Sequence, residues 1–292
     1  MRIASHVLVF SYNSTNSDDA KQKNWVLRNI ANAAPFVDKI YVAWSRLPWI
    51  YNPDARSLFK NTFDPKVLDE SPWRDKIKVI EGVWDWDEDQ RNACVDAALE
   101  DDMDILMIHD EDEFYMMDDF GSMVDEIKSN PGHTIYCTPW LDFWKDWSWV
   151  VSRPQVPSSY LSRPEVAFSL KMGGRFSHTH IRTPRNFRQP HRVPDGPRGA
   201  PWPAPPPGRG VRQMDYTCFH GSYVLSDLEV ETKLHSWSHA HQVHTGWLEE
   251  KWKNWEPGVT TNLHPLWPER WPTAARYKGP LPEVIEDLRE RL

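Results

Sequence analysis

Between residues 6 and 109 the chain alternates short β-rich apolar runs with stretches of helical periodicity, and this rhythm restricts the folds open to it. "HVLVFSY" (6–12), "KIYVAW" (39–44), "KIKVIEGV" (76–83) and "DILMIH" (104–109) read as strands. "AKQKNWVLRNIANAA" (20–34), ending before Pro35, and "DEDQRNACVDAALED" (87–101) read as helices. The order strand, helix, strand, strand, helix, strand predicts an α/β fold with a mostly parallel sheet covered by helices. Right-handed crossovers then bring the strand carboxyl ends to one edge, where ligands of open α/β sheets bind.

The second half is less regular. A helix is expected over 118–129, then a strand in "HTIYCTPW" (133–140). The Pro-, Gly- and Arg-rich stretch 182–210 offers little that could pack a core, so 184–210 is expected to be a mobile loop or lid. Ser226 followed by Glu229 forms a capping box opening a helix, with Val230, Leu234, Trp237 and His241 on one face. The Trp-rich "GWLEEKWKNW", the Pro-rich "NLHPLWPERWP" and a short helix in "LPEVIEDLRERL" complete the chain. The expected organisation is a single catalytic domain over 1–250, with 251–292 a C-terminal extension packed on it. A length of 292 residues accommodates one such domain with excursions.

Composition narrows the setting. No apolar run approaches the roughly 20 residues that a membrane helix requires. The opening "MRIASHVLVFSYN" lacks a small-residue cleavage pattern and reads as the first strand. Cys94, Cys137 and Cys218 are odd in number and scattered, which suggests neither a disulfide framework nor a zinc knuckle and fits a reducing cytoplasm. Net charge is −8, but residues 151–213 hold eleven Lys or Arg against Glu165 and Asp195. Such a basic segment either meets an anionic partner or docks on the chain's own acidic body.

The fourth strand runs into Asp110, Glu111, Asp112 and Glu113. If the backbone stays extended, Asp110 and Asp112 point the same way at a strand's carboxyl end, a hard-oxygen site for Mg²⁺ or Mn²⁺. The alternative is a solvated acidic turn before a helix. Together, "QRNACVDAAL" and "DILMIHDEDEFY" resemble the Arg-Asn helix and Asp-x-Asp strand end of GT-A-fold nucleotide-sugar glycosyltransferases of the family-2-like superfamily. The resemblance covers roughly residues 5–120 and, more loosely, "CFHGSYVLSDLEVETKLHSWSHA" (218–240), similar to a late Lys-x-x-x-Trp-x-His segment of some members.

This resemblance implies a GT-A-like, Rossmann-like sheet, with donor contacts from Ser11, Asn13, Arg91 and Asp110. Arg91 would offer its planar fork to phosphate. Asp112 would ligate Mn²⁺ or Mg²⁺, with His239 as the late ligand and His241 and His220 as rivals. Asp215 fits the position of the catalytic base, with Asp142 as the other candidate. The acidic residue that members carry after strand two is absent from "YVAWSRLPW", and with it the usual mark of uridine recognition. Seventeen tryptophans, clustered in "PWLDFWKDWSWV" and "GWLEEKWKNWEPG", suit core packing or stacking on sugars and bases.

The implied activity is metal-dependent transfer of a sugar from a nucleotide-sugar donor to an acceptor hydroxyl on a glycan, a protein, or a polyanion such as DNA with a hydroxyl-bearing modified base. The competing classes are a non-catalytic nucleotide- or glycan-binding protein and a metal-dependent phosphoryl-transfer enzyme.

Overall fold

A computed structural model describes residues 1–9, 24–50, 54–152, 164–177, 180–182, 210–236 and 239–289, with backbone alone for 180–182. The first strand, β1 (Ile3–Val9), is buried along its whole length. Parallel to it lie β2 (Lys39–Ser45) on one side and β4 (Ile105–Ile108) on the other, with β3 (Ile77–Gly82) beyond β2. Past β4 the sheet continues through β9 (Glu165–Ser169), β6 (Ile135–Cys137) and β12 (Val211–Gln213), to give the seven-stranded order β12-β6-β9-β4-β1-β2-β3. In this sheet β9 runs against its neighbours and the other strands run together. The order β3-β2-β1-β4 is that of a Rossmann-like half.

The alternation of β1 explains its double burial. Ile3, Val7 and Val9 pack with α1 (Trp25–Ala33) and α3 (Met117–Ser129) through Val26, Ile30, Phe120, Met123 and Ile127. Ala4 and Leu8 face the other way, toward α2 (Asp87–Glu100) and its Cys94, Val95 and Ala98. A strand covered on both faces must be apolar nearly throughout. The first turn of α2 carries Asp87, Glu88 and Asp89, which suit the positive end of the helix dipole. Asp102, at φ 53, stands just beyond its end.

β10 (Arg175–Ser177) and β11 (His180–Arg182) form a separate antiparallel pair, and a second sheet of five strands has the order β14-β8-β7-β13-β5. Its strands are β5 (Glu113–Phe114), β7 (Trp140–Trp144), β8 (Asp146–Ser152), β13 (Cys218–Tyr223) and β14 (Thr273–Arg276). "HTIYCTPW" therefore divides, with β6 in the first sheet and β7 opening in the second. Thr138 and Pro139 separate the two strands, and Pro139 has no N–H to extend a ladder. Trp144, Trp247, Trp252 and Trp271 pack with Leu263 in one cluster of this layer. Phe114, Phe143, Trp147 and Phe219 pack with Leu281 and Ile285 in another. The segment after residue 250 thus supplies an edge strand and core side chains.

Two local expectations differ. The capping box is present, Ser226 N donating to Glu229 Oε2 at 2.5 Å and Glu229 N to Ser226 Oγ at 3.3 Å. The helix it opens, α4 (Asp227–Ser236), stops before His241, which instead lies in the 3-10 turn Ala240–Gln242. At the C-terminus the expected helix is represented among the described residues by the 3-10 turn Glu286–Leu288. The loop expected over 184–210 lies outside the described residues except for Gly210. All three cysteines are buried and free, and no helix among the described residues is long and apolar enough to cross a membrane.

Candidate functional site

The acidic run links the two sheets. It leaves β4 in the first and enters β5 in the second, and Glu113 N donates to Asp110 O at 2.9 Å. Residues 110–113 therefore form a turn, not the extended strand end that would align Asp110 with Asp112. Two asparagines of α1 hold it. Asn29 Nδ2 donates to Asp110 O at 2.7 Å and to Glu113 O at 3.1 Å. One turn along, Asn32 exchanges hydrogen bonds of 2.8 and 2.9 Å with the backbone of Tyr115. Their i, i+3 spacing in "NIAN" puts both amides on the same helix face, a signal that sequence reasoning passed over.

Arg91 meets Asp110 through a bidentate pair, Nη1 to Oδ1 at 2.7 Å and Nη2 to Oδ2 at 2.6 Å. The fork that the resemblance assigns to phosphate is thus engaged by the carboxylate. Behind it, His6 of β1 hydrogen-bonds Met107 O through Nδ1 at 3.1 Å. A carbonyl only accepts, so Nδ1 carries the proton and Nε2 offers its lone pair to Arg91 Nη1, 3.2 Å away. Burial, then the charge of Arg91, lowers the His6 pKa to about 4. For Asp110, burial acts to raise the pKa, but the charge and hydrogen bonds of Arg91 outweigh it and hold the carboxyl below its ordinary range.

The second sheet contributes a row of polar side chains. Its register sets His220 of β13 opposite Asp142 of β7 on one side and Glu113 of β5 on the other. His220 Nδ1 lies 2.8 Å from Asp142 Oδ1, and Trp140 covers the imidazole with a centroid separation of 4.0 Å. That leaves Nε2 toward the acidic turn, 3.9 Å from Asp112 Oδ2. Asp142 is buried, whereas Asp112 is half-buried and open to solvent on one side. Glu113 is buried, and burial followed by the charges of Asp110 and Asp112 pushes its pKa well above the ordinary range. Its Oε2 accepts from Asp110 N at 3.3 Å.

Gly221 permits this assembly. Its N–H donates to Asp112 O at 2.7 Å, and a Cβ there would lie 2.6 Å from a ring carbon of Trp25 and 2.9 Å from one of Trp147.

The other sequence candidates fall as follows. Ser11 and Asn13 lie outside the described residues. His239 caps the turn Ala240–Gln242, with its ring 6.1 Å from that of Trp267. Asp215 is exposed in the connection between β12 and β13. The histidine that faces Asp112 is His220, and the carboxylate that orients it is Asp142. In the basic segment, Lys171 pairs with Asp104, Arg175 with Asp96 at 2.5 Å, and Arg212 with Glu126 at 2.7 Å. These three cations dock on the chain's own acidic body.

Among the described residues, no three His, Cys, Asp or Glu side chains already converge as a metal cluster. The Asp112–His220 pair suits a different kind of site. Mg²⁺ or Mn²⁺ accompanying a diphosphate takes one or two protein donors and completes its shell with water and phosphate oxygens.

No protein-family model matches the chain, and no curated protein matches it. Among solved structures it is similar to the 4-diphosphocytidyl-2C-methyl-D-erythritol synthase of Anaerococcus prevotii DSM 20548, at 9% identity and a TM-score of 0.41, over 79% of this chain and 94% of that one. It is also similar to a fragment of S. aureus TarS, at 12% identity and a TM-score of 0.42, over 87% of this chain and 71% of that one.

Proposed function

We propose that the chain is a metal-dependent glycosyltransferase that binds a nucleotide-sugar donor at the acidic turn and transfers the sugar to an acceptor hydroxyl. The supporting observation is the convergence of Asp110, locked by Arg91, with Asp112, faced by His220, where β4 leaves the Rossmann-like sheet. Ligands of such sheets bind at this edge.

In this reading Asp110 is held as an oriented acceptor for the donor's ribose or an ordered water, with Arg91 fixing its plane. Asp112 and His220 would hold the Mn²⁺ or Mg²⁺, and His239 is the late-segment candidate for a further donor. The bound ion would neutralise charge on the diphosphate. Asp142 keeps His220 Nδ1 engaged so that Nε2 faces the site, the arrangement in which a carboxylate orients a ligating imidazole. Arg91 is occupied by Asp110, so its effect on the donor is through the carboxylate it orients. Ser11 and Asn13 remain the expected base and ribose contacts, and Asp215 the expected base for the acceptor proton. Asp142 is committed to His220 and is less available for that task. Of the basic segment's cations whose side chains are described, Lys171, Arg175 and Arg212 are neutralised within the chain, which favours a glycan or protein acceptor over a polyanion such as modified DNA.

The test incubates the protein and Mn²⁺ with pooled nucleotide sugars and with glycan, protein and hydroxymethylated-DNA acceptors, and reads the products by mass spectrometry. Transfer or donor hydrolysis abolished by Asp112→Ala is the expected result. Binding without turnover would indicate a nucleotide- or glycan-binding protein, and cleaved phosphodiesters without sugar transfer would indicate a phosphoryl-transfer enzyme.

A further inference from the structure

Lys233 occupies α4 beside the acidic turn. It is half-buried, and Nζ donates to Ser222 O at 2.7 Å and to Ser222 Oγ at 2.5 Å, with the Tyr223 ring 4.8 Å away. Both acceptors are neutral. Among the described residues no carboxylate comes within ion-pair distance of this ammonium. Burial lowers its pKa, while Asp112, Glu111 and Asp110 act in that order to raise it, so the negative groups it senses most are those of the turn.

Neighbouring cations are already engaged. Arg91 is bound to Asp110, and Lys145 stands 3.8 Å from Asp227. An ammonium has three donors, and Ser222 accounts for two of them. The placement is also fixed from two directions. Ser222 follows Gly221, whose N–H bonds Asp112 O, and stands two residues after His220 on β13. Ser222 thus ties Lys233 to the strand that carries His220 and the Gly221–Asp112 bond.

A diphosphate entering beside Asp110, Glu111 and Asp112 meets carboxylate repulsion that one divalent ion does not remove from every phosphate oxygen. A cation held by neutral oxygens supplies the complementary charge without first breaking an ion pair. The geometry points to Lys233 as a protein-supplied contact for the phosphate oxygens of a nucleoside diphosphate, an inference that rests on the donor-site reading above. Its remaining donor and its charge serve the phosphates, while its two bonds to Ser222 fix its position.

The experiment measures, by calorimetry in Mn²⁺, the binding of UDP, CDP, GDP and ADP and of the matching nucleosides to the full chain, to Lys233→Gln and to Lys233→Arg. Urea denaturation checks that each variant is folded. For whichever diphosphate the parent prefers, Lys233→Gln is expected to weaken binding about tenfold to a hundredfold, as for loss of a charge-assisted hydrogen bond. Binding of the corresponding nucleoside should stay within about twofold, since the lost interaction is with phosphate. Lys233→Arg should retain most of the diphosphate affinity. Undiminished diphosphate binding in folded Lys233→Gln, or an equal loss for nucleoside and diphosphate, overturns the inference while leaving the donor site in place. If the folded parent binds none of the four diphosphates in Mn²⁺, the donor-site reading itself fails and this inference with it.

Discussion

The neutral imidazole of His6 makes the centre of β1 sensitive to acid, and its contribution can be isolated. The side chain is fully buried, with one nitrogen bonded to Met107 O and the other 3.2 Å from Arg91 Nη1. A proton added to Nε2 would face the guanidinium. Its folded pKa is depressed from 6.5 to about 4, so between these values the unfolded chain takes up a proton that the folded chain excludes. Stability from this group is therefore present above the unfolded pKa and is lost as pH falls toward the folded one. Integrated from pH 7.5 to 4.5, the loss is about 2–3 kcal/mol, at about 1.4 kcal/mol for each pH unit over which the two states differ by a full proton. His6→Gln keeps a donor and an acceptor but does not titrate. Urea denaturation of parent and variant in EDTA, at half-unit steps across that range, should show the parent losing about 2–3 kcal/mol more than the variant. Groups common to both largely cancel in this difference. Parallel pH profiles would refute the assignment of a buried, neutral His6.

Further expectations concern its neighbours. Arg91→Met strands the Asp110 carboxylate and should destabilise the protein by about 3–5 kcal/mol in urea denaturation, with part of the loss recovered when Asp110→Asn is added. Glu113 has a raised pKa, so its contribution to stability is present at low pH and lost as pH rises past the ordinary glutamate value. Glu113→Gln should accordingly gain on the parent by about 1.4 kcal/mol per pH unit in that window, and a gap that does not widen with pH would contradict a protonated Glu113. Gly221→Ala places a methyl group against the Trp25 and Trp147 rings and should cost about 1–3 kcal/mol by thermal or urea unfolding.

Much of the first sheet was legible in the sequence because its signals are local. The apolar run around Val7 and Leu8, the alanines of "NACVDAAL" and the break before Pro35 each report a periodicity or a stop within a few residues. The position of Asp110 and Asp112 after β4 follows from the same signals. Their turn geometry does not, since it depends on Asn29 reaching across from α1. Likewise, the pairing of His220 with Asp142 depends on the register between strands 78 residues apart in sequence, and no local pattern specifies that register. His241 was placed on the apolar face of α4 by its spacing, but it lies instead in the 3-10 turn Ala240–Gln242. The two asparagines were visible as residues and silent as a clamp, because an amide on an apolar helix face reveals its partner only in three dimensions.

The site's position at the joint between two sheets has a consequence for the order in which it forms. Arg91 and Asp110 are 19 residues apart and belong to one strand–helix–strand region, so their ion pair can assemble as soon as that part of the first sheet does. The apposition of Asp112 and His220 requires closure of a much longer stretch of chain and the addition of β13 beside β5. Loop-closure entropy makes that second event the slower expectation. A refolding chain would then pass through a stage in which the carboxylate turn exists but its histidine has not arrived, so recovery of the Arg91–Asp110 lock would precede recovery of the complete site.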